Sequence, residues 1–248
     1  MSAGGTVRVE TGGYLLRMAT MPGDVEAAQR LRFAVFNLEL NEGLDASAAT
    51  GLDADEFDAV CDHLLVEERA SGAVVGTYRL QTGRRAAEGV GYYSAREFDF
   101  TPFEPVRDRL LELGRACVAS EHRNQTVLGL LWKGIARYAQ AEGVRYLTGC
   151  SSLTSRDERE GLAAYAQLAP RNLVAEPWRT SPRPEWRCRP VDGALPEVKI
   201  PRLMTSYLLL GAKICGEPAI DREFGTIDFL TWFDLEAATA RVLRKYLT

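Results

Sequence analysis

Two ionisable residues, Glu112 and Arg115, stand inside an otherwise apolar run that also holds Leu110, Leu111, Leu113, Cys117 and Val118. Charge in such a run is costly to bury without partners. Either the pair performs chemistry or the run is an edge strand with one solvated face. The chemistry open to it is proton transfer and carboxylate binding. A partly buried Glu112 has its pKa raised toward that of a general base, and a guanidinium at Arg115 grips a carboxylate through paired hydrogen bonds. Three residues apart, the two face opposite sides of a regular strand. A bulge, which Gly114 permits, brings them to one side.

The polar stretch 120–126 follows, with Arg123, Asn124 and Thr126. A turn entering a helix N-terminus offers unpaired amides, the helix dipole and here a guanidinium to an anion; the plain alternative is an ordinary strand–helix crossover. Arg32 and Phe36 share one face of an early helix. Asp55, Asp58 and His63 cluster before a strand, and Arg79 lies within the apolar run VVGTYRL. Singly, His63 reads as a structural histidine and the two Asp as a solvated turn; together they gather charge around the Glu112 run.

The elements that must position these groups are legible from periodicity. A strand over 14–20 precedes a helix over 25–40, capped by Asp24 and apolar on more than one face. A short acidic helix or turn covers 54–61. Runs 63–68 and 74–81, joined by Arg69-Ala70-Ser71-Gly72, read as a hairpin. Residues 83–104 read as an irregular insertion, 110–119 as a strand, and 126–142 as the clearest helix, ended by Gly143. A strand at 146–150, a helix at 158–168, a Pro- and Arg-rich excursion at 170–201 and a helix at 201–212 come next. Strands at 213–220 and 226–234 and an amphipathic helix at 235–246 close the chain. Residues 1–13 are Gly-rich and expected to be a flexible N-terminus, with one domain over 14–248 and 170–248 as its distinctive C-terminal region. Strand–helix–strand units mixed with hairpins indicate an α/β (α+β) domain with a mixed sheet.

Composition excludes several classes. A net charge of −4 over 248 residues, with no Lys/Arg block, argues against nucleic acid. Five Cys without a C-x-x-C pair, and two His, support neither a zinc site nor a disulfide framework. Reduced thiols and the lack of an apolar leader or a stretch of about 20 apolar residues point to a cytoplasmic protein that does not cross a membrane.

The segments RLRFAVF (30–36), DEFDAVCDHLLV (55–66), VVGTYRL (74–80), LELGRACV (111–118), LLWKGIARY (130–138), YLTGCSSL (146–153) and 204–235 resemble the ornithine-lipid-type N-acyltransferases, on the GCN5-related N-acetyltransferase fold. The resemblance spans roughly residues 14–247. It implies a mostly antiparallel mixed sheet flanked by helices, and transfer of a (3-hydroxy) fatty acyl group from acyl carrier protein to the α-amino group of ornithine or another amino acid. Two alternatives remain open: an acetyl-CoA-dependent N-acetyltransferase, and an acyl-homoserine-lactone signal synthase, whose Arg-x-x-x-Phe, Asp-x-Phe-Asp, Gly-x-x-Arg and Glu-x-x-Arg signals are also here.

The resemblance makes Glu112 the base and Arg115 a carboxylate binder or an anchor for Glu112. Arg32, Phe36, Asp55, Asp58, His63 and Arg79 become substrate-binding candidates; Asp55, Asp58 and Glu39 are available for an ornithine side-chain ammonium. Cys117, Val118, Arg123, Asn124, Thr126 and Lys133 would serve the acyl donor, with an amide near Cys117–Val118 polarising the thioester. No metal and no bound cofactor are expected. The turn lacks the glycines that close round two phosphates in coenzyme A users, which favours the single phosphate of a phosphopantetheine arm over acyl-CoA. A basic patch of Arg123, Lys133, Arg137 and Arg145 would steer the acidic carrier protein. The acyl chain is expected beside Phe33, Phe36 and 130–132. A lipid product implies weak peripheral contact with the inner membrane, through the terminal helix.

Overall fold

The computed structural model describes residues 7–190 and 193–237. One twisted sheet organises it. Its strands are β1 (Arg8–Thr11), β2 (Tyr14–Met18), β3 (Asp62–Glu68), β4 (Val74–Thr82), β5 (Leu110–Val118), β6 (Tyr146–Leu153), β7 (Lys213–Ile214), β8 (Ala219–Asp221) and β9 (Thr226–Asp234). The order is β1-β2-β3-β4-β5-β6-β9-β7, with β8 also on β9. Every pairing is antiparallel except β5–β6. The helices are α1 (Pro22–Phe33), α2 (Gly83–Glu88), α3 (Gln125–Ala141), α4 (Glu158–Asn172) and α5 (Arg202–Leu210). This is the mixed, mostly antiparallel fold flanked by helices that the sequence implies.

Alternation along the strands divides the sheet into two chemically different faces. Leu64, Val66, Tyr78, Leu80 and Leu111 point to the side covered by α3, where they pack on Val127, Leu131 and Ile135. α3 begins where the Asn124 side chain accepts from the Val127 amide at 3.0 Å. It sits unusually close to β3 because residue 134 is glycine: a Cβ there would lie 2.6 Å from Leu64. Arg79, Gln81 and Glu112 point to the opposite face, Gln81 directly across from Glu112.

β5 and β6 pair only over Leu110–Glu112 and Tyr146–Thr148. Beyond that they diverge. Gly149, at φ +153, marks the fork; any Cβ there would overlap the Leu113 carbonyl oxygen. The β5–β6 edge beyond Glu112 therefore leaves main-chain groups unpaired and opens a gap through the sheet.

Several sequence expectations change. Arg8–Thr11 is an edge strand rather than part of a flexible leader, because its backbone continues the β2 hairpin through the Gly12–Gly13 turn. The early helix stops as α-helix at Phe33, and 34–39 widens into a π-helical turn. Residues 83–104, expected to be irregular, hold α2, capped by Thr82, a 3-10 turn at Ser94–Arg96 and the start of another at Thr101–Arg109. The strand expected over 213–220 is two short strands, β7 and β8, both on β9. The expected helix over 235–246 falls almost wholly outside the described residues. Among the described residues, no helix is long and apolar enough to cross a membrane.

Candidate active site

A cavity of about 700 Å³ runs through the β5–β6 gap, within the usual size of small-ligand clefts (about 300–1,000 Å³). Its α3 side is apolar: Leu128, Leu131, Trp132, Tyr207 and Phe233, with Val35, Phe36 and Leu40 nearby. α5 contributes Leu203, Met204 and Tyr207, and is held to the sheet by a short Tyr78–Tyr207 hydroxyl contact. The other side is polar: Arg79, Gln81, Tyr93, Ser94, Glu112, Arg115 and Asp228.

The carboxyl group of Glu112 is 5% exposed and held from both sides. Oε1 accepts from the Ser94 amide at 2.8 Å and Oε2 from the Tyr93 amide at 2.9 Å. Burial raises its pKa above the ordinary glutamate value, against the partial opposition of those hydrogen bonds and of Arg79. Such a group is fixed in place and able to take a proton.

The pairing of β4 with β5 shifts register between Thr77 and Arg79, and Arg115 adopts φ +49 there. Left-handed backbone at a non-glycine costs about 1 kcal/mol or more. Its consequence is positional: Arg115 now shares a face with Glu112, its guanidinium 4.8 Å from the Tyr93 ring centroid and 4.5 Å from that of Phe224. The irregularity falls at Arg115 itself rather than at Gly114.

Arg115 does not pair with Glu112. It joins a closed ring of six buried charges. Arg32 bridges Asp53 (2.9 Å) and Asp58 (2.7 Å); Arg79 bridges Asp58 (3.2 Å) and Asp55 (2.5 Å); Arg115 bridges Asp55 (3.1 Å) and Asp53 (3.2 Å). Three cations and three anions cancel. Burial alone would raise the Asp58 carboxyl, but Arg32 and Arg79 outweigh it and hold it well below the usual carboxylate range. The ring ties α1, the 53–58 segment, β4 and β5 together.

The ring corrects several assignments. Arg32, Asp55 and Asp58, expected to bind substrate, are not among the cavity-lining residues, and each pairs with two opposite charges within the ring. His63 also lies off the cavity: Nε2 meets the Asp58 carbonyl oxygen at 3.1 Å, and burial lowers its pKa, keeping it neutral. Of the three arginines, Arg79 and Arg115 reach the cavity. Phe36 lines it, edge-on to Phe224 at 5.5 Å, whereas Phe33 and Leu130 do not.

The donor-side residues divide likewise. Cys117, Val118, Arg123 and Asn124 line the cavity, joined by Gln125. Burial pushes the Cys117 thiol up to about 12, which makes it a poor nucleophile near neutral pH. Arg123 grips Glu39 through both nitrogens (2.5 and 2.7 Å), and its Nε donates to the Val118 carbonyl oxygen. Glu39, available from the sequence as an ammonium partner, pairs with Arg123 and does not line the cavity. Thr126 and Lys133 are off the cavity; the Thr126 methyl lies over Gly12. The expected four-residue basic patch does not assemble. Arg145 follows α3, some 25 Å from its start by helix rise, and is neutralised by Asp234 and Glu236.

The chain is similar to known proteins in sequence and in fold. Residues 31–133 match the family described as "Acetyltransferase (GNAT) domain". The L-ornithine N(alpha)-acyltransferase of Brucella abortus (strain 2308) is 32% identical over 252 residues, covering 95% of this chain and 89% of the relative. That of Rhizobium meliloti (strain 1021) is 33% identical, covering 93% and 83%. The chain belongs to the L-ornithine N(alpha)-acyltransferase family. Solved structures agree on the fold at low identity. FeeM, an N-acyl amino acid synthase from uncultured soil microbes, superposes with a TM-score of 0.57 at 12% identity, covering 92% of this chain and 95% of FeeM. The AHL synthase LasI gives 0.55 at 12%, covering 95% of both chains.

Sequence reasoning missed Asp53, Gln81, Tyr93, Ser94, Glu97 and Asp228. Asp53 had a signal, since it sits two residues before Asp55 in an extended stretch and so repeats its direction. Asp228 had one too, a lone carboxylate within the apolar run TIDFLTW. Gln81 is 1% exposed with neither amide atom hydrogen-bonded, although it lines the cavity.

Proposed function

We propose that this chain transfers a 3-hydroxy fatty acyl group from acyl carrier protein to the α-amino group of ornithine. The observation that carries the reading is the through-sheet cavity, apolar on the α3 side and charged on the Glu112 side. A long acyl chain suits the first; an amino acid suits the second.

The amino group of an amino acid is mostly protonated near neutral pH and must lose a proton before attack. Glu112, with its raised pKa and a fixed carboxyl, takes that proton. The acceptor's α-carboxylate lies against Arg115 and Arg79, the members of the charge ring that line the cavity. The nitrogen attacks the thioester carbonyl and a tetrahedral oxyanion forms; its collapse breaks the C–S bond, and the second proton lost by the nitrogen passes to the departing sulfur, so that pantetheine leaves as the thiol. Main-chain amides on the unpaired edge of β5 are the groups available to steady the oxyanion. The buried, protonated Cys117 thiol favours direct transfer over an acyl-enzyme.

On the donor side, a single phosphate at the start of α3 fits a turn without glycines. The Asn124 side chain already occupies the Val127 amide, and Arg123 is shared with Glu39, so little remains to grip a second phosphate. Leu203 and Leu209, exposed on α5 beside the cavity, provide weak membrane contact at the cytoplasmic face, where an acylated product partitions.

The test gives purified protein 3-hydroxyacyl carrier protein or acyl-CoA, each with single amino acids, and reads products by mass spectrometry. Acyl-ornithine formed faster from the carrier protein supports the reading. Turnover with acetyl-CoA alone would replace it with an N-acetyltransferase.

A further inference from the structure

Past Ser94, on the same sheet face as Glu112, lies a second carboxyl site that the reaction above does not use. Asp228, on β9 opposite Ser152, and Glu97, which follows the 3-10 turn Ser94–Arg96, are 4% and 1% exposed. With the Cys150 thiol they present atoms within 4.8 Å of one another. Among the described residues no arginine, lysine or histidine forms an ion pair with either carboxylate. Asp228 Oδ1 and Glu97 Oε1 have no hydrogen-bond partner, and Asp228 lines the cavity. Glu42, buried on the cavity wall and hydrogen-bonded to Thr154, adds a third carboxyl that feels Asp228. The contrast with the Asp53, Asp55 and Asp58 ring is one of charge: there every anion meets a cation, whereas among the described residues Asp228 has only Ser152, Thr226 and Glu97 as hydrogen-bond partners.

Burial and the neighbouring Asp228 and Asp221 push Glu97 well above the ordinary range, while burial pushes Asp228 to about 6. Two buried carboxyls this close, with no cation in ion-pair contact, resist both being charged at once. That complements a single ammonium, which offers three N–H donors and no acceptor. A metal fits less well, since burial also drives the Cys150 thiol far up and keeps it protonated.

We propose that Asp228 is the subsite for the distal ammonium of a diamino acid acceptor, with Glu97 behind it off the cavity as a positioning residue, and that it so selects ornithine over neutral amino acids. Ser94 links the two ends of the acceptor site. Its amide donates to Glu112, and its hydroxyl lies 3.4 Å from Cys150 Sγ, itself 4.0 Å from Glu97 Oε2. An extended diamino acid with three methylenes separates its nitrogens by about 6 Å; the proposal places one amine at Glu112 and the other at Asp228. The inference rests on the amino acid acyltransferase reading.

The experiment compares L-ornithine with L-norvaline, which has the same carbon chain without the amine. Calorimetry reads binding and mass-spectrometric turnover reads kcat/KM, in the wild type and in Asp228→Asn and Glu97→Gln. The wild type is expected to favour ornithine by at least about 100-fold, because a buried polar site rejects a ligand lacking its partner. Asp228→Asn is expected to cut that ratio about 30- to 100-fold. A ratio unchanged in both variants, with ornithine still acylated, overturns the subsite and leaves the enzyme reading intact. Ornithine binding that depends on Asp228 without any turnover upholds the subsite and sinks the acyltransferase. A stoichiometric divalent metal lost in Asp228→Asn, with ornithine binding unaffected by its removal, also overturns the proposal.

Discussion

Replacing Asp228 by Asn should stabilise the protein at alkaline pH, because the wild-type carboxylate is held where folding disfavours its charge. Burial raises this group from 3.8 to about 6. A carboxyl whose folded pKa lies above its unfolded value supports the fold fully only below about pH 4, and that support is lost as pH rises through 6. The shift of about two units corresponds to roughly 3 kcal/mol between the two limits. Urea unfolding at pH 4 and pH 8 should show the wild type losing about 2–3 kcal/mol relative to Asp228→Asn across that interval. Ornithine, by pairing with the charge, should narrow the gap at pH 8 through its preference for the folded state. Parallel pH profiles for the two proteins would show that Asp228 is not buried without a cation as described, and the reasoning for the subsite would fall with it.

Other outcomes follow from the same geometry. Glu112→Gln should keep the fold and lower kcat by about 10²- to 10⁴-fold, the usual worth of a positioned base. In the wild type, kcat/KM should fall on acidification with a midpoint above the ordinary glutamate value, since burial raises Glu112; a midpoint near 4 would remove the base assignment. Arg32→Met opens the charge ring beneath Asp53 and Asp58 and should cost about 3–5 kcal/mol, lowering Tm by roughly 6–20 °C; a variant that melts with the wild type would show the ring to be incidental. Intact-mass analysis after donor alone should find no acyl group on the protein, and a stable adduct at Cys117 would replace direct transfer with a covalent route.

How much of this was legible beforehand depended on whether a feature was local. α3 was readable because capping, stripe and terminating glycine lie within one segment. The Glu112 and Arg115 pair stood out because charge inside an apolar run needs an explanation, and the register shift supplied it. The charge ring could not be read, since its members come from four places in the chain and only folding shows that each Arg meets two Asp. Arg32, Asp55 and Asp58 therefore passed for substrate ligands. The 3-10 turn carrying Tyr93 and Ser94 hid in a stretch without periodicity, yet it supplies the amides that hold Glu112. Asp228 stayed unnoticed because the helix and strand patterns around it were satisfied without it.

The most direct test of the central claim is the structure of the product. Incubating the protein with 3-hydroxyacyl carrier protein and L-ornithine, followed by tandem mass spectrometry, should yield ornithine acylated on its α-nitrogen with the distal amine left unmodified. Acylation at the distal nitrogen would reverse the acceptor's orientation between Glu112 and Asp228. No acyl-ornithine from carrier-protein or CoA thioesters would contradict the account.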